Sequence, residues 1–223
     1  SLYLRPFMFA SEVFLGVRPS HHVTYSVIAS PAGAYFAGGV KPVDIWLSES
    51  FSRAALGGTG AAKCGGNYAA SLLPQQEAFD NGCAQVAFLD SVEHKWVEEL
   101  GGMNLYFVSA DGSIVTPELS GSILEGITRD SILTIARDLG HEVVERKVSI
   151  DQWREGVADG SISEVFACGT AAVVTPVGKL KWAGGEVGGA DEPGPVTSRI
   201  REALVDIQYG RAADTHGWMT KVS

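Results

Sequence analysis

Strand-like and helix-like segments alternate along this chain, but several neighbouring strands are joined by turns too short to contain a helix. Residues 85–90 (QVAFLD) and 104–108 (NLYFV) have the apolar composition of strands. The Asp-Gly pair at 111–112 predicts a hairpin turn directly after the second of them. Helical periodicity appears at 127–139, followed by a glycine stop. Because hairpins pair strands antiparallel and helical crossovers pair them parallel, the sequence predicts a mixed α/β fold built on a mixed sheet.

Composition argues against several classes of partner. The chain has 223 residues and a formal net charge of -9, from 17 Lys and Arg against 26 Asp and Glu. This charge argues against a nucleic-acid or anionic membrane surface, and no apolar run approaches the length of a membrane-spanning helix. The three cysteines lack Cys-x-x-Cys spacing, which predicts neither a metal site nor a disulfide framework. We therefore expect a protein of a reducing compartment, with the cytoplasm as the default.

A lysine among very small residues is the first candidate for chemistry. Lys63 lies in the stretch TGAAKCGG, residues 59–66. Small neighbours suit a pocket floor where the backbone approaches a ligand, and a lysine amine freed by burial can bond covalently to a carbonyl group. The stretch lacks the Gly-Lys-Ser/Thr of a phosphate loop and the third glycine of a dinucleotide site. The alternative is a solvated lysine on a loop.

Three further segments are weaker candidates. Glu98 and Glu99 follow a strand pattern and precede two glycines; the alternative is a pair of solvated charges at a turn, and we expect this for one of the two. A helix beginning near Thr128 would offer its N–H groups and dipole to an anion, although a plain threonine cap is the alternative. In CGTAA, a glycine turn would present the N–H groups of Thr170 and Ala171 as an anion site.

Taken in order, the motifs AAKCGGNYAASLL, VEELGGMNLYF, GITRDSIL, FACGTAAVVTPV and DIQYG resemble the branched-chain amino acid aminotransferases, which are pyridoxal-phosphate enzymes of fold type IV. The resemblance runs from Tyr3 to the C-terminus. It implies that residues 31–223 form the fold-type IV large domain, a mixed sheet forming a pseudo-barrel flanked by helices. Residues 1–30 would be the end of an N-terminal small domain. We expect most of that small domain to be missing and the chain alone to transaminate poorly.

The resemblance also implies which residues hold the cofactor. Lys63 matches the lysine that holds pyridoxal 5'-phosphate covalently and moves a proton at the substrate α-carbon. Glu99 matches the carboxylate that pairs with the pyridine nitrogen, and Tyr68 matches the phenol that hydrogen-bonds the ring oxygen. Ile127 and Thr128 match the helix N-terminus that receives the phosphate.

Substrate contacts follow from the same resemblance. Thr170 matches a second phosphate contact, and the N–H groups of Thr170 and Ala171 resemble those that hold the substrate carboxylate. Tyr3 and Arg5 resemble pocket residues. The implied reaction moves the amino group of leucine, isoleucine or valine to 2-oxoglutarate, which becomes glutamate, in a homodimer. The alternatives are another fold-type IV enzyme, either a D-amino acid aminotransferase or an aminodeoxychorismate lyase, and a truncated fragment without catalytic activity.

Overall fold

The computed structural model describes residues 2–33 and 40–222. The chain divides into two compact units, residues 1–39 and 40–223. Over the described ranges the elements are β1 Leu2–Ala10, β2 Val23–Pro31, β3 Val43–Ser48, α1 Gly65–Asp80, β4 Gln85–Leu89, β5 Val97–Leu100, β6 Asn104–Ser109, β7 Ile114–Thr116, α2 Ile127–Asp138, β8 Val143–Glu145, α3 Ile150–Asp159, β9 Ile162–Gly169, β10 Val173–Trp182, β11 Gly185–Gly188 and α4 Pro195–Gln208. In these ranges no helix is both long and apolar enough to cross a membrane.

The first unit is a two-stranded antiparallel hairpin. β1 and β2 pair along their whole length, with Leu2 opposite Pro31. Tyr3 and Arg5 lie two positions apart on β1 and therefore share one face, where the guanidinium carbon of Arg5 is 5.1 Å from the centre of the Tyr3 ring. The predicted domain boundary after residue 30 stays a prediction.

The second unit is built on a closed ring of strands. β10, β3, β4, β5 and β6 pair in that order, and β9 pairs with both β6 and β10, which closes the ring at six strands. The β10–β3 and β3–β4 pairs are parallel, and the other four pairs of the ring are antiparallel. The predicted mixed sheet in the form of a barrel is thus confirmed. β7, β8 and β11 extend the sheet beyond the ring.

Two helices cover one face of this ring. Ile132 on α2 and Ile200 on α4 are fully buried, and they belong to one hydrophobic cluster with Tyr106 and Phe166 of the sheet. The aromatic side chains of Tyr106 and Phe166 stack, with their ring centroids 4.9 Å apart. The Tyr106 hydroxyl also donates a hydrogen bond to the backbone oxygen of Arg129 at 2.7 Å. This bond ties the first turn of α2 to the sheet.

Local sequence signals explain several element boundaries. Ser149 caps α3 in a capping box with Gln152, each side chain accepting from the other residue's backbone N–H. The helix ends at Asp159 and is followed by Gly160, whose φ of 82° lies in the left-handed region that glycine enters without strain. Gly112 has a φ of 85° in the turn between β6 and β7, so the predicted Asp-Gly hairpin is confirmed.

Candidate active site

The buried guanidinium of Arg53 connects three segments of the second unit. Its Nη2 atom donates hydrogen bonds to the backbone oxygens of Gly60 at 3.0 Å and Ser122 at 2.7 Å. The same atom lies 2.5 Å from Oε1 of Glu99, and both side chains of this ion pair are 4% exposed. Arginine suits this position because its planar group keeps its charge when buried and donates in several directions. The loop before α1, the strand β5 and the segment before α2 are therefore held at one point.

Glu99 is the acid at the centre of this arrangement. It lies on β5 opposite Asn104 of β6, and the Leu124 N–H donates to its Oε1 at 2.9 Å. Burial raises the pKa of the Glu99 carboxyl to about 7, while the Arg53 guanidinium, the Leu124 N–H and the Lys63 ammonium act to lower it. A carboxyl with this pKa can take up and release a proton near neutral pH, which suits a group that exchanges a proton with a ligand.

Lys63 lies on the loop that Arg53 supports. The Ala61 N–H donates to the backbone oxygen of Gly121 at 3.2 Å. A Cβ placed on Gly60 would come within 2.2 Å of the Ser122 backbone oxygen, so only glycine allows this close approach. Lys63 itself is exposed, and its ammonium is near enough to Glu99 to lower the pKa of that carboxyl. In the described part of the chain, Lys63 forms no ion pair within 4.0 Å.

The small residues around Lys63 lie open on one side of this unit. Ala61, Ala62, Gly65 and Gly66 are all exposed, and their predicted role as a pocket floor stays a prediction. The loop is shaped by Asn67, whose amide is buried at the start of α1.

The Asn67 side chain makes three hydrogen bonds that hold the loop in place. Its Oδ1 accepts from the Thr59 hydroxyl at 2.7 Å, and its Nδ2 donates to the backbone oxygens of Thr59 at 2.7 Å and Ala62 at 3.0 Å. Tyr68 follows on the first turn of α1 and is 37% exposed. It stands next to this fixed loop, and its predicted contact with a cofactor ring stays a prediction.

The N-terminus of α2 is brought to the same region by Asn104. The Asn104 Nδ2 donates to the backbone oxygen of Leu124 at 3.0 Å, two residues before the helix cap. That cap is Gly126, which has no side-chain hydrogen bond, and the helix begins at Ile127. Thr128 is therefore the second residue of the helix, and its interpretation as a plain threonine cap is wrong. A Cβ at 126 would lie 2.3 Å from Asn104 Oδ1, so the cap position has room only for a glycine. The first N–H groups of α2 lack intrahelical partners, as in any helix.

Thr170 and Ala171 lie in the exposed turn between β9 and β10. Cys168 of β9 stands opposite Asn104 of β6, which in turn stands opposite Glu99. The turn begins at Thr170, two residues after Cys168. It therefore lies at the same edge of the sheet as the end of β5, near Glu99. The positive φ next to this turn, 59°, belongs to Val173 at the start of β10 and not to a glycine.

Glu98 is the clearest departure from the sequence analysis. We expected one of the two adjacent glutamates to be solvated, but Glu98 and Glu99 are only 6% and 3% exposed. Neighbouring residues on a strand point to opposite sides, and the closed ring and its covering segments bury both sides of β5. Burial raises the pKa of the Glu98 carboxyl, and the hydrogen bond from Ser122 acts to lower it.

Sequence reasoning missed Arg53, Asn104 and Ser122. A signal existed for Arg53, since it is the one charged residue between Phe51 and the glycine-rich loop. Nothing local marked the other two, because their partners lie far away in sequence.

The sequence matches the family model described as amino-transferase class IV over residues 3–180. This match covers most of the chain, and the chain belongs to the class IV aminotransferase family. Among curated relatives, the probable branched-chain-amino-acid aminotransferase of Streptomyces coelicolor is 64% identical over 98% of this chain. The branched-chain-amino-acid aminotransferase of Mycolicibacterium smegmatis is 58% identical over 100% of it. The chain spans 60% and 62% of the length of these two relatives.

Solved structures agree with this assignment. The branched-chain amino acid aminotransferase of Escherichia coli superposes with a TM-score of 0.83 at 38% identity, covering 100% of this chain and 70% of that one. A second solved branched-chain amino acid aminotransferase, complexed with N-(5'-phosphopyridoxyl)-L-glutamate, gives a TM-score of 0.85 at 38% identity, covering 100% and 69%. The fold is thus that of the branched-chain aminotransferases.

Proposed function

We propose that this chain is the cofactor-binding part of a branched-chain amino acid aminotransferase. Its reaction would move the amino group of leucine, isoleucine or valine to 2-oxoglutarate. The observation that carries the proposal is the contact of Arg53 with both Glu99 and the loop that bears Lys63. The names of relatives 64% and 58% identical to the chain supply the substrate class.

The residues present fit pyridoxal 5'-phosphate. That cofactor has an aldehyde, a basic ring nitrogen and a phosphate, and the chain offers an amine, a buried acid and an open helix N-terminus in one unit. When bound, the cofactor withdraws electrons from the α-carbon of an amino acid so that the amino group can be transferred. A solved relative complexed with a phosphopyridoxyl compound supports this choice.

Each group of the site would have one task. The Lys63 amine would hold the cofactor covalently and then carry a proton to and from the substrate α-carbon. Glu99 would keep a proton on the ring nitrogen through a charge-assisted hydrogen bond, worth about 1.5–3 kcal/mol, and Arg53 would keep the carboxyl oriented for it. The N–H groups of Ile127 and Thr128 would hold the phosphate, since the dipole of a helix N-terminus attracts anions.

The remaining predicted contacts complete the proposal. Tyr68 would hydrogen-bond the cofactor ring oxygen, and Thr170 would add a phosphate contact. The N–H groups of Thr170 and Ala171 would hold the substrate carboxylate, and Tyr3 and Arg5 would receive the substrate side chain. We place the protein in the cytoplasm.

We also propose a homodimer. The helix α1 exposes three large apolar side chains, Leu72 at 70%, Leu73 at 59% and Phe79 at 57%. Such a set is more apolar than a helix facing only water needs to be, which supports a second copy as its cover. Light scattering coupled to gel filtration measures this directly, and a monomer at micromolar concentration would contradict it.

The function is tested by adding pyridoxal phosphate to the purified chain and recording the absorbance spectrum. We expect a new band near the visible edge that borohydride removes, leaving the cofactor attached to the peptide that contains Lys63. Lys63→Ala should abolish the attachment, whereas Lys41→Ala, an exposed lysine elsewhere, should not. Amino transfer from leucine but not from D-alanine supports the branched-chain assignment. The reverse preference would favour a D-amino acid aminotransferase, and no attachment at all would favour a fragment without catalytic activity.

A further inference from the structure

The buried carboxyl of Glu98 has no task in the proposed reaction. The hydroxyl of Ser122 donates a short hydrogen bond to its Oε1, and Ser122 Oγ lies 2.7 Å from Ser120 Oγ. In the described part of the chain, Glu98 Oε2 has no hydrogen-bond partner. Burying such an oxygen costs free energy. A carboxyl buried at that cost on the same strand as Glu99 calls for an explanation in terms of its hydrogen-bond partner.

The hydrogen-bond partner of Glu98 is Ser122, and both Arg53 and the loop that bears Lys63 contact the segment around Ser122. The backbone oxygen of Ser122 accepts from Arg53 Nη2 at 2.7 Å. Gly60 packs so closely on the same residue that a Cβ there would overlap its backbone. The preceding residue, Gly121, accepts the hydrogen bond from the Ala61 N–H. The position of Ser122 therefore sets both the guanidinium that orients Glu99 and the loop that bears the lysine.

We propose that Glu98 is a positioning residue: by accepting the Ser122 hydroxyl, it fixes the segment on which Arg53 and the Lys63 loop rest. This role deepens the proposed function, and its part concerning cofactor rests on that function. Two charged groups act on Glu98 besides the adjacent Glu99, since Asp90 disfavours its charged form and Arg53 favours it. The acceptor oxygen, not the charge, is what Ser122 requires. A neutral carboxamide should therefore serve in its place.

The first test measures the loop without any cofactor. Amide hydrogen exchange at Ala61 should become about tenfold faster in Glu98→Ala and in Ser122→Ala, as for loss of one hydrogen bond to a carboxyl. The double variant should exchange no faster than either single variant, because both remove the same link. Glu98→Gln should stay within about threefold of wild type, since it keeps the acceptor. Glu142→Ala, an exposed glutamate after α2, is the control.

The second test measures retention of pyridoxal phosphate by absorbance titration of the same variants. We expect about tenfold weaker retention in the two alanine variants and recovery in Glu98→Gln. Unchanged Ala61 exchange, or effects that add in the double variant, would overturn the proposal. If wild type takes up no cofactor, the proposed function fails, while the exchange result still decides the role of Glu98. If Glu98→Ala does not fold, Ser122→Ala and Glu98→Gln give the decision.

Discussion

Replacing Arg53 by methionine tests whether the acid of the site depends on one buried cation. Arg53→Met removes the ion pair with Glu99 and the hydrogen bonds to two backbone oxygens. Breaking a buried pair by removing one partner costs about 3–5 kcal/mol, because the remaining charge is left buried. At pH 5 Glu99 is neutral in the wild type and in Arg53→Met, so at this pH the substitution removes only the two backbone contacts. Those cost about 1–3 kcal/mol.

The pH dependence gives this prediction its sign. Burial already raises the pKa of Glu99 from its ordinary 4.5 to about 7. The folded wild-type chain therefore binds more protons than the unfolded chain between these values, and this group makes stability fall as pH rises through that window, by about 3 kcal/mol. Without Arg53 the pKa rises further, so the fall continues to higher pH. The variant should lose up to about 1.4 kcal/mol more at pH 8 than at pH 5, because pH 8 lies one unit above the wild-type pKa of about 7.

Urea denaturation at pH 5 and pH 8 measures both quantities. The double variant Arg53→Met/Glu99→Gln should recover most of the pH-dependent part. Arg211→Met is the control: its exposed pair with Asp206 is worth about 1 kcal/mol or less, and its loss should be the same at both pH values. Equal losses at pH 5 and pH 8 for Arg53→Met, or a loss below about 1 kcal/mol, would refute the reasoning.

Two further predictions follow from the same unit. Gly60→Ala should destabilise the chain by about 1–3 kcal/mol, because the new Cβ meets the Ser122 backbone. In the control Gly65→Ala the new Cβ meets nothing within 4 Å, so stability should change by less than about 1 kcal/mol. Equal denaturation midpoints for the two variants would contradict this prediction. With iodoacetamide at pH 8, half-exposed Cys64 should be alkylated in the folded chain, whereas burial raises the pKa of Cys168 to about 12 and should leave it unmodified. Peptide mass mapping reads out both sites, and early modification of Cys168 would count against the buried assignment.

Much of the fold was predictable because its signals are local. The Asp-Gly hairpin, the periodicity of α2 and the glycine after α2 each act within a few residues. The barrel required the resemblance, since no local pattern announces that β9 pairs with both β6 and β10.

The candidate site was predictable only in part, because its contacts are long-range. Glu99 and the Lys63 loop were expected together from family motifs, and the structure brings them together through Arg53. The burial of Glu98 was not predictable, since segments distant in sequence cover β5, and its hydrogen-bond partner Ser122 lies 24 positions away. The threonine-cap interpretation failed because the helix begins one residue before Thr128, with Gly126 as its cap.

The order in which the ring closes has a consequence for synthesis on the ribosome. One edge of β3 pairs with β4, and its other edge pairs with β10, which lies much later in the sequence. The first residue of β10 in this pairing is Val177. Until then the nascent chain carries β3 to β6 with open edges, which are templates for association between polypeptides. Pairings between segments so distant also slow folding. Translation pauses upstream of this strand should therefore increase aggregation, whereas pauses after it should not.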